Sequence, residues 1–508
     1  MPTPVAAPVT FTYEQALGEV QRRGRFGVRL GLGRTRALLR GLGDPERSIR
    51  GALIGGTNGK GSVVALVGSV LREAGLRAGE TPKPHLVTYR ERLRIGGRLI
   101  DPAAFARLVE EALPVAERVA RRHGEPTEFE LLTALAFRWF ADERVELALV
   151  EVGLGGRLDA THAWDGGVAA IVNVALDHTA HLGSTVEAIA REKAAIVMRG
   201  DLAVTGATGG ALAVVRRRAR RVGAPLTVVG AAPLRGLDRD GIIVELPRLG
   251  ETRVGLRGRH QAANVAVADA VLDALAAAGI AVVSDDARRR GFAAATWPGR
   301  LELVRAVVGG GIRPGGGANG TAGDGIRPGG GANGTVGGGI RPGGGAGAAG
   351  RMSSAETDVL LDGAHNPAGA AVLADALDDL RPFLVGGADR PRPAPMTLVT
   401  AMMSDKDVRG IVEPLAAARA MAGGRVICTE LAEPRALPAA ALAGAWTAVG
   451  APVTVLVEPD PLAALDLALR EAPGPVVIAG SLYLVGLVRA VLVDDPQLLD
   501  PTDPPARQ

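Results

Sequence analysis

A short apolar run that breaks into glycine constrains this chain most. Ala52-Leu53-Ile54 leads into Gly55-Gly56-Thr57-Asn58-Gly59-Lys60-Gly61-Ser62, and an apolar helical pattern follows from about Ser62 to Ala74. Strand, glycine loop and helix in that order make a phosphate-binding loop. Backbone N–H groups of a tight glycine turn can surround an anion, and the next helix turns its positive end to the same group. The arrangement predicts Thr57, Asn58, Gly59, Lys60, Gly61 and Ser62 at the phosphates of a nucleotide. Lys60 would neutralise β and γ oxygens, and Ser62 has the position of a Mg²⁺ contact. Gly61, inserted between Lys60 and Ser62, departs from the commoner spacing.

Lysine is scarce enough to be informative. Only four occur among 58 basic residues: Lys60, Lys83, Lys193 and Lys406. Lysine is a compact charge that can lose its proton when buried, whereas arginine is a planar fork that stays charged. A lysine kept in so arginine-rich a chain is expected where arginine cannot serve. Asparagine behaves alike: outside a glycine-rich repeat only Asn58, Asn173, Asn264 and Asn366 occur.

Alternating strands and helices set the fold class. Strands are expected at 147–153 and 168–174, with helices at 103–122, 129–141, 185–198 and 265–278. Such alternation implies a parallel sheet covered on both faces. From Thr12 to Leu42 the pattern is helical, interrupted at Phe26-Gly27 and at Gly31-Leu32-Gly33. Between Val308 and Gly350, Ile-Arg-Pro-Gly-Gly-Gly-Ala recurs at Ile312, Ile326 and Ile340. That segment has little to bury and high chain entropy, so a flexible linker is expected. A second α/β pattern follows, with strands at 358–361, 396–400, 425–429, 453–457 and 475–479. The first ten residues, and the Asp/Pro-rich end after Val493, read as frayed.

Composition narrows the function classes. Apolar residues make up 47% and charged residues 22%, ordinary for a soluble globular protein. The net charge of +4 is spread thinly, and its one dense run, Arg216 to Arg221, reads as a solvated helix face. No nucleic-acid motif accompanies it. No apolar run reaches the length of a membrane span, and the N-terminus lacks a secretory pattern. The single Cys428 excludes an internal disulfide and reads as a buried strand thiol. A cytoplasmic monomer is expected, with no nucleic-acid or membrane partner.

Further motifs follow the glycine loop. Glu151 ends an apolar strand and is followed by Gly153-Leu154-Gly155-Gly156-Arg157-Leu158-Asp159. The carboxyl ends of parallel strands are where such sheets place ligands, and a carboxylate there can hold Mg²⁺. Asp177-His178 and Glu192-Lys193 come after the next strand. His260, Gln261 and Asn264 have roughly helical spacing and could present amides to one ligand. Trp297-Pro298-Gly299-Arg300 ends the first domain, and Asp362-Gly363-Ala364-His365-Asn366 opens the second.

Together these segments resemble the folylpolyglutamate synthase/dihydrofolate synthase family, a branch of the Mur ligases. The resemblance runs from about Tyr13 to Val488, omitting the repeat. It also includes Pro84-His85-Leu86-Val87, Asp405-Lys406-Asp407 and Gly480-Ser481-Leu482-Tyr483. It implies a P-loop ATPase domain of Mur-ligase type over 1–303 with a parallel-rich sheet, a disordered linker over 304–357, a smaller Rossmann-like domain over 358–495 and a tail over 496–508. The implied reaction is ATP-dependent amide-bond formation between a reduced folate or dihydropteroate carboxylate and L-glutamate, through an acyl phosphate. Residues 58–62 would hold the ATP phosphates, with Asn264, Arg300, Asp362 and His365 also at ATP. Ser62, Glu151, His178 and Lys193 would hold Mg²⁺, Lys193 as a carbamylated lysine. Thr127, Phe129 and Glu130 match the pterin-contacting region, and His85, Gly155, Arg157 and Asp159 would also meet substrate.

Three departures stand out. Pro82-Lys83 replace the Thr-Ser that usually precedes Pro-His-Leu, where the serine is a metal ligand. A charged ammonium cannot coordinate a metal, so Lys83 is expected to replace part of a metal's charge by contacting a phosphate. His162 and Ala195 stand where Asn and Gly are usual. The competing readings are another Mur-type ligase and a nucleotide-binding homologue impaired in catalysis.

Overall fold

Alternation along the buried strands builds the first sheet. Successive side chains of a strand point to opposite faces. Leu53 accordingly enters the core on one face while Ala52 and Ile54 enter the core on the other. The next strand behaves likewise, Ala148 and Val150 going one way and Leu147 and Leu149 the other. The computed structural model describes residues 11–24, 27, 29–307, 356–385, 394–471 and 474–501.

Eight strands form this sheet: β1 (Gly51–Gly55), β2 (Ala78–Thr81), β3 (Arg94–Ile95), β4 (Arg98–Leu99), β5 (Leu147–Glu151), β6 (Gly167–Ile171), β7 (Leu202–Thr205) and β8 (Leu226–Val228). Their order is β4-β3-β2-β5-β1-β6-β7-β8. Pairing is parallel from β2 to β8, and the β3–β4 hairpin adds an antiparallel edge. Helices Pro102–His123, Glu128–Asp142 and Val186–Ala194 contribute to one core. Helices Lys60–Glu73 and Gln261–Ala277 contribute to the other. With β1 central, its carboxyl end and that of β5 open side by side, Ile54 opposite Glu151.

A three-stranded antiparallel sheet, β9 (Leu234–Asp238), β10 (Gly241–Leu246) and β11 (Gly250–Val254), lies outside the expected alternation. Its short strands sit between two helices, where the sequence offers no long periodic run. Six strands form the second large sheet: β12 (Glu302–Val307), β13 (Glu356–Leu361), β14 (Thr397–Thr400), β15 (Arg425–Cys428), β16 (Thr454–Val457) and β17 (Val476–Ala479). The order is β12-β13-β17-β14-β15-β16, parallel except for β12, which runs antiparallel to β13.

The structure shifts the bounds of several expected elements and corrects two. The helix after the glycine loop, expected from about Ser62, starts earlier at Lys60, and the helix expected over 185–198 stops at Ala194. The N-terminal helical pattern is two helices, Tyr13–Gln21 and Gly33–Gly41. Residues 304–307 and 356–357, expected in the linker, are strand, because they extend the β12–β13 pairing. Residues 308–355, and with them the repeat, lie outside the described residues, as do residues 1–10. The end after Val493 is not frayed as far as Pro501. Pro496–Leu498 forms a short helix, and the Asp500 carboxylate accepts hydrogen bonds from Arg90 Nε, Thr88 Oγ1 and Tyr13 Oη at 2.8–3.0 Å.

Specific polar contacts tie the second large sheet to what precedes it. Arg239, in the turn between β9 and β10, places both terminal guanidinium nitrogens on buried Asp358 of β13 at 2.8 Å. Arg259 pairs with Asp379, whereas Arg489 pairs with Glu302 within the unit built on the second large sheet. Cys428 is buried in β15 as a free thiol, and burial pushes it up to about 12. Among the described residues no helix is long and apolar enough to cross a membrane.

Candidate active site between the two sheets

A cavity of about 570 Å³ opens where β1 and β5 end, and the start of the second sheet closes its other side. One wall is the glycine loop. Gly59 has φ +79° and caps the helix Lys60–Glu73. A Cβ there would lie 2.3 Å from Asn264 Oδ1, so only glycine fits. Gly61 answers to a different neighbour, because a Cβ would stand 2.6 Å from the Trp297 ring. The departure in spacing thus lets an indole pack on the loop.

The loop is braced from the chain beyond β6. Thr57 N–H donates to Asn173 O (3.0 Å) and Asn58 N–H to Asn173 Oδ1 (2.9 Å). The Thr57 hydroxyl donates to Ala175 O and accepts from Ala175 N–H. Lys60 Nζ donates to Thr57 O at 3.0 Å. Buried Ser62 accepts a long hydrogen bond from Gln261 Nε2 (3.4 Å), and Asn264 Nδ2 donates to Gln261 Oε1 (2.8 Å). Burial pushes the neighbouring His260 down to about 4, which keeps its ring neutral.

Glu151, Lys193 and His178 all line this cavity. Glu151 is buried, and burial raises its carboxyl above the usual range, opposed first by the Lys60 ammonium. Lys193 is 5% exposed, with Nζ donating to Gly56 O at 2.9 Å. Burial first, then the Lys60 charge, lowers its amine to about 7. His178 is half-open to solvent and adopts φ +48°, a strained value for a non-glycine residue. Burial lowers its pKa, against the pull of Asp177. Among the described residues no trio of His, Cys, Asp or Glu is close enough to hold a metal. The available donors are the Ser62 hydroxyl, the Glu151 carboxylate and the neutral His178 ring. These oxygen and imidazole donors fit a divalent ion that also takes phosphate oxygens.

Lys83 enters the same space. Its N–H donates to Glu151 Oε2 (2.9 Å), and its Nζ donates to Glu151 O (2.8 Å) from 4.4 Å over the Phe129 ring. Burial lowers its amine to about 8.

The second sheet contributes Asp362 and His365. Both Asp362 oxygens accept backbone N–H groups, from Leu301 and Ala364 at 2.9 Å. Burial raises this carboxyl, with Arg300 opposing. His365 Nδ1 lies 2.7 Å from Gly363 O, and burial pushes its ring down to about 4. Asn366 Nδ2 donates across the cleft to Asp177 Oδ2 at 3.2 Å.

Of the residues expected at substrate, Phe129 and Gly155 line the cavity and five others do not. Thr127 and Glu130 form the capping box of the helix Glu128–Asp142, and Glu130 also pairs with Arg34. His85 accepts a bond from Arg92 Nε (2.8 Å) and stacks on Tyr89. Arg157 is largely exposed and pairs with Glu192. The Asp159 carboxylate is occupied by Leu154 N–H, Thr161 N–H and the Thr161 hydroxyl, which shapes the glycine-rich turn. Sequence reasoning passed over Arg92 and Trp297 as lining residues, and Asn173 as a brace. Asn173 had a signal, being one of four asparagines outside the repeat; Arg92 had none among so many arginines.

Comparisons with known proteins agree with this geometry. The family model "Dihydrofolate synthetase, C-terminal domain" matches residues 349–491. A dihydrofolate synthase/folylpolyglutamate synthase of Mycobacterium tuberculosis is 32% identical over 511 residues, covering 92% of this chain and 91% of its own. One from Bacillus subtilis is 38% identical over 303 residues, covering 58% and 70%. Among solved structures, Mycobacterium tuberculosis folylpolyglutamate synthase complexed with ADP gives a TM-score of 0.76 at 29% identity, covering 95% of this chain and 100% of that one. A bifunctional folylpolyglutamate synthase/dihydrofolate synthase from Yersinia pestis complexed with AMPPNP and Mn gives 0.70 at 27%, covering 96% and 100%. With the sheet order, the glycine loop and both lobes of the cleft accounted for, the chain belongs to the folylpolyglutamate synthase/dihydrofolate synthase family of ATP-dependent ligases.

Proposed function

We propose that this enzyme joins L-glutamate to the carboxylate of a reduced folate or of dihydropteroate, in the cytoplasm and as a monomer. The observation that carries the reading is one cavity combining the Lys60 loop, buried Glu151 and Lys193, and Phe129 with Gly155. A carboxylate is a poor electrophile, so it must first be activated. A substrate carboxylate oxygen attacks the γ phosphorus of ATP, the bond to the β–γ bridging oxygen breaks, and ADP leaves with the electron pair. The neutral amine of glutamate then attacks the acyl carbon. The carbon–oxygen bond breaks, inorganic phosphate leaves, and the amine loses a proton.

Little covalent work falls to the protein. Positioning and charge neutralisation account for most of the rate, as in other phosphoryl transfers. Lys60 and the loop N–H groups would receive the phosphates with Asn264 beside the loop, while Arg300, Asp362 and His365 would bound the nucleotide from the other side. Ser62, Glu151, His178 and Lys193 would hold a divalent ion, which when bound neutralises phosphate charge.

Lys193 would serve there as a carbamate. A neutral amine adds CO₂, releases a proton and becomes an anionic oxygen donor. Its buried amine, at about 7, is substantially neutral at cellular pH, which supports this state. Arginine could not do the same.

The test is purified enzyme with ATP and Mg²⁺, offered glutamate plus either dihydropteroate or tetrahydrofolate, with products identified by mass. A gain of one glutamyl unit that depends on ATP is the expected result, and the pair of acceptors separates one activity from two. ATP hydrolysis indifferent to both acceptor and glutamate would reject the reading.

A further inference from the structure

Lys83 carries more than the reading above uses. Its ammonium enters the cavity from the loop after β2 and donates one N–H to Glu151 O at 2.8 Å. The main chain of the same residue is tied to the Glu151 carboxylate, so carboxylate and ammonium are held as a unit. The Phe129 ring, 4.4 Å from Nζ, steadies the cation from one side. The same cavity is lined by the Lys60 loop and by Phe129, so the Lys83 ammonium borders a space shared by the phosphate-binding loop and the aromatic wall. An ammonium has three N–H donors, and Glu151 O takes one.

We propose that Lys83 is the resident cation at which the two anionic reactants meet, a fixed single charge standing beside Glu151 where a divalent ion would otherwise sit. The proposal rests on the ligase reading. In the activating step a carboxylate must approach a terminal phosphate, and both are negative. A cation between them draws the carboxylate oxygen toward phosphorus and stays unchanged as the new phosphorus–oxygen bond forms and ADP leaves. No proton moves at Lys83. A cation at that spot also repels a divalent ion from the flank of Glu151 that it occupies. Phosphate contact alone would not need an ammonium anchored to Glu151 and laid on an aromatic ring.

The experiment counts metal directly. Mn²⁺ is titrated into the full chain with a non-hydrolysable ATP analogue, bound ion is read by electron paramagnetic resonance, and the K83S and K83M variants are treated alike after thermal melts confirm folding. K83S is expected to take one more Mn²⁺ per chain than the unchanged protein, since it clears the flank of Glu151 and adds an oxygen donor. K83M removes the charge without adding a donor. It is expected to keep the original count while its KM for the acyl substrate rises about tenfold or more. Equal counts in K83S and the unchanged protein would overturn the proposal, and so would an unchanged acyl-substrate KM in K83M. Failure of the ligase reading is separate: it appears as absent glutamyl transfer by the unchanged protein, whatever the Mn²⁺ counts.

Discussion

At the residue scale the cleft is a matter of which side chains can change charge. Lys193 is predicted to be indispensable. Lys193→Ala should lower kcat at least about a hundredfold with nucleotide affinity kept within a few fold, because the missing group acts on the bound reactants. A short carboxylic acid added to the assay should restore part of the rate, since it can stand in for the proposed carbamate; Lys193→Arg should not respond. The sign of the pH effect follows from an amine lowered to about 7. Above that pH it is mostly neutral and, as the proposed carbamate requires, able to add CO₂, so at one fixed concentration of dissolved CO₂ enzyme stripped of CO₂ should regain activity faster at pH 8 than at pH 6. A second residue-scale prediction concerns Gly61. Gly61→Ala drives a methyl into the Trp297 ring, so the loop must shift, and KM for ATP should rise about tenfold. Pairing it with Trp297→Leu should recover much of that loss. Lysine scarcity made Lys60, Lys83 and Lys193 legible in the sequence, and all three line one cavity. Thr127 and Glu130 misled because the same two side chains suit a helix cap as well as a ligand, and only packing decides between them.

Elements add contacts that no local pattern announces. The C-terminal segment returns to the connection between β2 and β3 and fastens on Arg90, which is 4% exposed. Arg90 donates to Asp500 Oδ1, Gln497 O, Leu499 O and Ile100 O. An Asp/Pro-rich end reads as frayed because its acceptors meet their partners only across some four hundred residues of chain. Arg90 sits in the turn that also carries Arg92, a residue of the cavity wall. Asp500→Asn should therefore cost about 1–3 kcal/mol in a denaturant titration, by leaving a buried guanidinium poorly paired. It should also raise KM for the acyl substrate while leaving that for ATP alone.

Parallel pairing produces the other juxtaposition at this scale. β6 and β7 run side by side with Val168 opposite Leu202, so Asp165 and Asp201, just before each strand, share a hydrogen bond at the sheet's far end. Burial raises the Asp201 carboxyl to about 7 from 3.8, the Met198 N–H opposes that, and Asp165 adds to it. Between about pH 4 and 7 the folded chain keeps this proton and the unfolded chain has lost it. Stability from this pair is thus full below pH 4 and declines as pH rises to 7. Asp201→Asn should flatten that decline and stabilise the protein above pH 7 by on the order of 1–2 kcal/mol, read as melting temperature against pH.

At the scale of the molecule, the large parallel sheets were legible because buried strands and their helices leave long apolar runs. The antiparallel β12 was not, because it borders the repeat and gains its identity only by pairing with β13. That pairing changes what the repeat has to do. Val307 and Glu356 are register partners, so the chain leaves the second sheet and re-enters it on adjacent strands. The repeat therefore joins two neighbouring strand ends, and it does not span the gap between the two sheets, as an interdomain linker would. Two connected antiparallel ends need only a short turn. Replacing residues 309–354 with a four-residue turn should leave the sheet intact. It shortens the connection from roughly 48 residues to about six, three halvings at about 0.6 kcal/mol each, or about 2 kcal/mol of closure entropy recovered. The shortened enzyme should melt a few degrees higher and keep its kcat/KM within about twofold. A folded but inactive product would show instead that the repeat takes part in the reaction, a role that the pairing of β12 with β13 does not require.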